Sequence, residues 1–393
     1  MPPRAIHASD LLWLSSRFTV RMQLSLRHLP LCFAAALVVS LCVLAAPGCS
    51  SSDTPPVSLT CGDGHRDVLE QCDDSNKTGL DGCSATCMFE QVQRMTSFSP
   101  KYQADTVCGY DAFGSAIGST VRSPLQTQID KAIANGSFSL LMETMNATDL
   151  TGTTQGSVTV GFLSATPEQT DGGVTYDGQN DLDWWYSPAA ASIDSNRVPK
   201  TQMTGSISSH VLTLGPSSVQ FSLGTGAPVQ MSNLQIISPL NSSSTPKVST
   251  DGHPPGHLST ENLEPTLQSY ESSGTSTFCG NVSAASLQGT TLPAIVAQYC
   301  TDYTSANSLL DLIVGGCSVA LVPVVNATQP DQVDASKPAA GAGGPYTLTA
   351  DSNTHIVNGC KDANGTSATL STCIAAAAYS AYFTFSTDRV MFH

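Results

Sequence analysis

The sequence has little charge and few basic residues. Charged residues make up 12% of its 393 residues, about half the usual fraction in globular proteins. The chain contains 16 Lys and Arg against 31 Asp and Glu, and four of the basic residues lie within the first 27 positions. Binding to nucleic acid requires clustered basic side chains that neutralise phosphates, so no nucleic-acid partner is expected. Hydroxyl groups are abundant instead, since Ser and Thr together number 92.

The sequence also lacks the short motifs that mark common catalytic sites. It contains no Gly-x-Ser-x-Gly, no His-Glu-x-x-His and no phosphate-binding loop that ends in Gly-Lys-Ser/Thr. We therefore expect a chain that binds, adheres or is displayed at the envelope rather than one that catalyses. Two alternatives stay open, namely an exported hydrolase that acts on glycans and a purely structural envelope protein.

An apolar segment near the N-terminus has the order of an export signal. Residues 29–46 are uncharged and mostly apolar, and Arg21 and Arg27 precede them. The next residues, Ala-Pro-Gly-Cys at 46–49, resemble the lipobox of bacterial lipoproteins, although that family usually has Leu at the position of Ala46. The resemblance implies that a lipid is attached to Cys49.

This resemblance predicts the organisation of the N-terminal part. Residues 1–48 would be the signal peptide, with Met22 as an alternative start, and residues 49–60 a polar, lipid-anchored tether. The residue after the cysteine is Ser50 rather than Asp, which by the same resemblance favours the outer membrane. The predicted location is the cell surface, with the membrane as a partner through the lipid.

The chain has 13 cysteines, and an even number of them follows Cys49. Two lie in the predicted signal, and Cys49 is the predicted lipid acceptor. In an oxidising compartment the remaining ten are expected to pair, which gives up to five disulfides. These ten are Cys61, Cys72, Cys83, Cys87, Cys108, Cys279, Cys300, Cys317, Cys360 and Cys373.

Four of these cysteines lie in a stretch with a specific pattern. It has Cys-Gly-Asp-Gly at 61–64, Glu-x-Cys-Asp-Asp at 70–74 and Cys-Ser-x-x-Cys at 83–87. These residues resemble the Myxococcus cysteine-rich repeat, with Ser75 where that family prefers Gly and with Leu80 inserted in its Gly-Asp-Gly run. The resemblance covers only residues 61–87 and implies a surface protein of a myxobacterium-like, predatory or soil bacterium.

The cysteine-rich module, residues 61–88, is too short to bury an apolar core, so cross-links or a metal must stabilise it. Two disulfides would suffice. Its oxygen ligands could also hold Ca²⁺, whereas zinc fits less well because exported cysteines are normally oxidised. The candidate Ca²⁺ ligands are Asp63, Asp73, Asp74, Asn76 and Asp81.

The remaining chain, residues 101–393, has the pattern of a β-rich body. Short segments of alternating apolar residues, such as 138–143 and 158–163, are separated by Gly, Pro and Asn. The chain is thus predicted to be mainly β: a β-sandwich or jelly-roll-like body with a few short helices, preceded by the small disulfide-rich module. The body could be one domain or two halves that meet near residue 255.

Three local predictions accompany this fold. A helix is expected to begin at Ser123, with Pro124 in its first turn, and to end near Gly136. Alternation in 211–223 predicts a hairpin whose turn is Gly-Pro-Ser-Ser. Residues 88–100 have no strong pattern and are expected to connect the module to the body.

One acidic and aromatic segment in the body is a candidate ligand site. Alternating carboxylates next to aromatic rings could hold Ca²⁺ or stack against a sugar, so that the partner would be a glycan or a surface protein. The alternative is a turn that leads into a strand whose tryptophans belong to the core. The candidate residues are Asp177, Asp181, Asp183, Trp184 and Trp185.

Overall fold

The computed structural model describes residues 60–102, 108–109, 111–149, 151–171, 174–178, 184–221, 229–241, 272–292, 294–334 and 346–392. The predicted signal peptide, Cys49 and nearly all of the tether lie outside the described residues, as do Asp181 and Asp183. None of the described helices combines the length and the apolar character that crossing a bilayer requires.

Strands dominate the described chain. They are β1 Gln91–Pro100, β2 Leu140–Thr144, β3 Thr154–Pro167, β4 Thr170–Asp171, β5 Val174–Thr175, β6 Trp185–Pro188, β7 Thr201–Ser208, β8 Val211–Phe221, β9 Val229–Pro239, β10 Ser276–Ser283, β11 Cys317–Val319, β12 Val322–Val325, β13 Gln332–Val333, β14 Thr347–Ala350, β15 Val357–Lys361, β16 Ala377–Arg389 and β17 Met391–Phe392. The helices are α1 Ala112–Ala116, α2 Ser119–Ala134, α3 Ala284–Gly289, α4 Ala294–Ala297, α5 Leu309–Gly315 and α6 Leu370–Ala376.

Eight of the strands close into an antiparallel barrel. Their order is β3-β2-β1-β16-β10-β9-β8-β7, and β7 pairs again with β3. Strands from before and after residue 255 are neighbours in the ring, because β9 pairs with β10. The mainly β prediction is therefore confirmed, and the described residues from 60 to 392 belong to one compact unit.

Alternate residues of the barrel strands fill the interior, as the period of two along a strand requires. Val158, Val160 and Phe162 of β3 are all buried in the main apolar core. Aromatic rings pack across the strands, with 4.9 Å between the ring centroids of Phe98 and Phe383. The interior is thus packed by side chains from the whole ring.

The predicted connection at residues 88–100 is wrong, because most of it is the barrel strand β1. Both faces of this strand are buried, and polar residues occupy part of each face. The alternation of apolar and polar residues that marks a strand is therefore absent from its sequence. Gln93 accepts a hydrogen bond from the Thr387 hydroxyl at 3.1 Å. Arg94 is buried as well and donates to the Tyr176 hydroxyl at 3.1 Å.

The predicted hairpin in residues 211–223 is also wrong. The segment is the continuous strand β8, and the Gly215-Pro216 pair lies in a region where its pairing with β9 shifts register. Gly215 has a φ of +84°, and a Cβ there would lie 2.2 Å from the Leu234 carbonyl oxygen. The turn-forming residues thus produce an irregularity within the strand rather than a reversal of the chain.

The predicted helix exists, but it begins earlier than Ser123. Helix α2 begins at Ser119 after the N-cap residue Gly118, and Pro124 lies inside it. Gly118 donates to the Val324 carbonyl at 2.9 Å, and a Cβ would lie 2.3 Å from the Pro323 carbonyl oxygen. Contact with β12 therefore fixes the start of this helix, although Ser123 is the better local cap.

All ten cysteines that follow Cys49 form disulfides, as expected. Two bridges lie within the cysteine-rich module, and one joins the segment after β1 to β10. Another two fasten the short helices α4 to α6 to neighbouring strands or turns. The pairs are Cys61–Cys87, Cys72–Cys83, Cys108–Cys279, Cys300–Cys317 and Cys360–Cys373.

The cysteine-rich module packs against the barrel instead of standing apart from it. Leu80 is buried in a second apolar core that Val92, Leu141 and Leu163 of the barrel share. Arg197, which precedes β7, donates to the carbonyls of Gly79 and Leu80 at 2.7 and 2.8 Å. The module and the barrel therefore share buried surface.

This shared core predicts that the module and the barrel stabilise each other. We expect Leu80→Ala to lower the free energy of unfolding by about 2–4 kcal/mol, because it removes buried methyl groups. Leu69→Ala is the matched control, since Leu69 belongs to the same module and is 80% exposed. Urea unfolding without reductant measures both variants; equal losses would contradict the shared core.

Candidate functional site

An apolar cavity of about 240 Å³ lies where the helices meet the barrel. The barrel contributes Phe98, Met231 and Phe383 to its wall, and helix α2 contributes Leu125 and Ile129. These residues come together because the helices cover one end of the barrel. Of the described concave sites, this cavity has the most uniformly apolar lining, which is the character of most ligand pockets.

Further helices complete the wall. Leu287 of α3, Val296 of α4 and Ile313 of α5 also line the cavity. Helix α5 is held by a capping box in which Ser308 and Asp311 bond reciprocally. The other oxygen of Asp311 accepts the Val357 amide at 2.7 Å, which ties α5 to β15. Short helices that would be unstable alone are thus fixed by caps, disulfides and packing.

The cavity has almost no polar groups. Among the described lining residues, two carry polar side chains, Gln128 and Thr290, and none is titratable. The Thr290 hydroxyl donates to the Ser286 carbonyl at 2.8 Å, so it is already paired. Gln128 is exposed on α2. Such a wall binds apolar groups and offers no acid, base or activated nucleophile among its side chains.

The volume sets the size of molecule that the cavity can hold. An apolar cavity of about 150 Å³ accepts benzene, so this one corresponds to roughly ten heavy atoms. A ligand that binds in the cavity of the folded protein, and not to the unfolded chain, would raise the free energy of unfolding.

The predicted Ca²⁺ ligands are only partly brought together. Asp73 accepts four backbone amides, from Gly62, Asp63, Gly64 and Ser75, at 2.8–3.2 Å. Burial opposes its ionisation, but these amides hold the pKa of Asp73 below its ordinary value. The Asp73 carboxylate therefore organises the module's own backbone.

Three other predicted ligands lie close to one another. Asn76 donates to Asp81 at 3.2 Å. Burial and then the neighbouring Asp81 charge raise the pKa of Asp74 to about 6. Asp63, in contrast, accepts the His65 amide at 3.0 Å. Ca²⁺ binding by the five candidate ligands of the module stays a prediction.

Three side chains of types that can bind metals lie close together in the described chain, but two of them are not available as ligands. Potential ligand atoms of Cys61, Glu70 and Cys87 lie within 4.8 Å of one another. Cys61 and Cys87 form a disulfide, so neither offers a thiolate. This group is part of the cross-linked framework of the module.

The structure buries the two tryptophans of the acidic and aromatic segment. Trp184 and Trp185 belong to the second apolar core, and the Trp184 indole donates to the Glu168 carbonyl at 2.7 Å. Asp177 is exposed, while its predicted partners Asp181 and Asp183 lie outside the described residues. Protein atoms cover both rings, as expected for the alternative in which the tryptophans belong to the core. Ligand binding at this segment stays a prediction.

Two buried carboxylates beneath the module have no distinctive sequence signal. Glu90 precedes β1 and accepts the amides of Leu80, Asp81 and Gly82. Glu143 on β2 is also buried, and its Oε2 has no hydrogen-bond partner in the described part of the chain. Burial is the main cause that raises the pKa of Glu90 to about 7. Burial and then the Glu90 charge raise the pKa of Glu143 well above its ordinary value.

Side chains of the kind that a hydrolase uses share a cleft of about 600 Å³ near α4 and β11, which Asp302, Ser318 and His355 line. No hydrogen bond joins these three side chains in the described part of the chain, and the His355 ring stacks on Tyr303 at 4.6 Å instead.

Glu90 and Glu143 are covered by the module. The Thr153 hydroxyl lies 3.4 Å from His210 Nε2, but Thr153 is exposed. The other ring nitrogen of His210 has no hydrogen-bond partner among the described residues, whereas a catalytic histidine requires an orienting group.

The buried acids predict a dependence of stability on pH. Folding raises the pKa of both, so the folded state retains protons that the unfolded state loses above about 4.5. The free energy of unfolding should therefore be larger at pH 5 than at pH 8, by on the order of 2 kcal/mol. Thermal unfolding followed by circular dichroism measures the change as a few degrees in Tm.

Glu143→Gln should at least halve that fall and should raise Tm at pH 8, because it removes the repulsion between the two carboxylates. Asp302→Asn is the control, since Asp302 is exposed and should leave the pH dependence unchanged. A Glu143→Gln variant with the wild-type dependence would contradict this assignment.

In comparisons with known proteins, no family model, no curated protein and no solved structure matches the chain. The functional argument therefore depends on the barrel, its cavity and the pattern of residues in the sequence.

Proposed function

We propose that this protein is an exported, lipid-anchored binding protein of the outer cell surface, and that the end of its barrel holds a small apolar ligand. The apolar cavity carries the proposal, because its described lining favours burial of apolar atoms and contains no titratable side chain. Binding, rather than bond cleavage, is the chemistry that these side chains support. An adhesive or display role at the envelope is compatible with it.

The cysteine pairing supports the exported part of this proposal. Each of the ten cysteines after Cys49 has a partner in the structure. Full pairing is typical of proteins that fold in an oxidising compartment. It agrees with the apolar segment at residues 29–46 and with the lipobox-like residues 46–49.

The backbone of the module supports its resemblance to the Myxococcus cysteine-rich repeat. Ser75, where the family prefers Gly, has a φ of +71°. Glycine adopts this conformation without the steric cost that other residues incur, which accounts for the preference. Leu80, the inserted residue, has a φ of +63° and fills the second apolar core. Both departures are thus compatible with a module of that family.

The cavity predicts measurable binding of a neutral apolar compound. Decan-1-ol should bind with a Kd on the order of 1–100 µM, because burial of its methylenes outweighs the entropic cost of association. Isothermal titration calorimetry measures this affinity on the purified chain from Cys49 onward, with the module and all disulfides intact. Absence of binding would contradict the proposed ligand class.

A variant that fills the cavity separates specific from nonspecific binding. Ala132 of α2 lines the cavity, and Ala132→Phe should weaken decan-1-ol binding at least about tenfold, since it excludes several methylenes. Thr127→Phe adds a ring to the exposed face of the same helix and should leave the affinity unchanged. Equal behaviour of the two variants would place the binding outside the cavity.

The anchor is tested by the intact mass of protein isolated from membranes. We expect a chain that begins at Cys49 and carries diacylglycerol and acyl groups, and a gain of ten hydrogens on reduction. Cys49→Ala should release the protein from the membrane fraction, whereas Ser50→Ala should not. An unlipidated chain that retains residues 29–46 would contradict the anchored form.

A further inference from the structure

Basic side chains are concentrated next to the cavity. Beyond Cys49 the chain has 30 acidic and only 12 basic residues. Three of those twelve adjoin residues of the cavity wall: Lys101 follows Pro100, Arg122 lies one helical turn before Leu125, and Lys131 precedes Ala132. This local charge is opposite to that of the protein as a whole.

The side chains of α2 carry two of these charges to the edge of the cavity. Lys131 is exposed and lies one turn after Gln128, the exposed polar residue of the lining. The Arg122 Nε donates to the carbonyl of the lining residue Ile117 at 3.1 Å. Its guanidinium carbon lies 4.5 Å from the centre of the Tyr102 ring, which holds the cation beside the wall.

The opposing charge in this region is small. Asp130 of α2 is exposed and accepts a hydrogen bond from Gln126 at 2.8 Å. Gln126 donates in addition to the Phe98 carbonyl at 3.0 Å, which directs this pair along the side of the helix toward β1. By the same adjacency two acidic residues border the wall, because Asp130 follows Ile129 and Asp311 precedes Leu312. Asp311 is buried and accepts the Ser308 and Val357 amides, so Asp130 is the exposed acid of the two. The three basic side chains outnumber these two acidic residues.

We propose that the ligand of the cavity is an anionic amphiphile with one medium-length alkyl chain, of the chemical class of decanoate. Its chain would occupy the apolar cavity, and its carboxylate would lie at the rim near Gln128 and Lys131, in the positive potential to which Arg122 adds. This inference rests on the proposed function, because it names the ligand class of the same cavity. The apolar volume selects a chain of roughly ten heavy atoms, and the basic rim selects the sign of the head group.

Three probes with the same alkyl chain test the head group. Decanoate, decan-1-ol and decyltrimethylammonium are titrated into the chain from Cys49 onward at pH 7.5 and low ionic strength, below the concentrations at which they form micelles. Decanoate should bind about tenfold more tightly than decan-1-ol, and decyltrimethylammonium should bind more weakly than either. High salt should reduce the advantage of decanoate, since exposed charges are screened.

A double variant tests the basic rim. Arg122→Gln with Lys131→Gln should remove the advantage of decanoate and leave the affinity for decan-1-ol unchanged, which also shows that the cavity is intact. Lys361→Gln is the control, because Lys361 is exposed on β15 and does not line the cavity. This control should bind all three probes like the wild type.

The outcomes separate the two proposals. Equal affinity for decanoate and decan-1-ol would overturn the anionic ligand class and leave the apolar cavity as a binding site. Preference for decyltrimethylammonium would overturn it as well. Failure of all three probes to bind would overturn the proposed function itself.

Discussion

Closure of the ring through the pairing of β3 with both β2 and β7 is the constraint on which the rest of the structure depends. A closed ring has no free strand edge, so every barrel strand is paired on both sides. One face of each strand must then point inward, and the two ends need other elements to cover them. At one end the helices do this with imperfect filling, and the apolar cavity is what remains between them and the strands.

A second layer lies outside the ring and explains why the module belongs to the body. The outer faces of β1, β2 and β3 are apolar at Val92, Leu141 and Leu163, and Leu80 of the module covers them. Glu90 binds three amides of the same loop, while Arg197 binds two of its carbonyls. The amides and the carbonyls of the loop are thus both paired with side chains of residues that precede barrel strands, so the polar loop can be buried.

The sequence was most informative where local chemistry decides the structure. The even set of cysteines predicted up to five disulfides, and alternation in segments such as 158–163 predicted strands, because both depend on the residues themselves. β1 was missed because burial of both its faces conceals the period of two. Gly215 and Pro216 were misread as a turn, since only the pairing of β8 with β9 shows that the chain continues. The cavity could not be predicted, because Phe98, Leu125 and Phe383 meet only after the ring has closed.

Helix α2 gives the cavity walls of unequal stiffness. The strand side cannot yield without loss of backbone hydrogen bonds, whereas α2 is held mainly by side-chain contacts. Only Val121 and Ile133 of its sixteen residues are fully buried, and they lie near its two ends, while Leu125, Gln128, Ile129 and Ala132 border the cavity between them. Displacing the middle of this helix therefore costs less free energy than displacing any strand of the wall. The bending of this one helix would then set how long a ligand stays bound and how bulky a ligand the cavity accepts. The barrel would remain unchanged as ligands exchange.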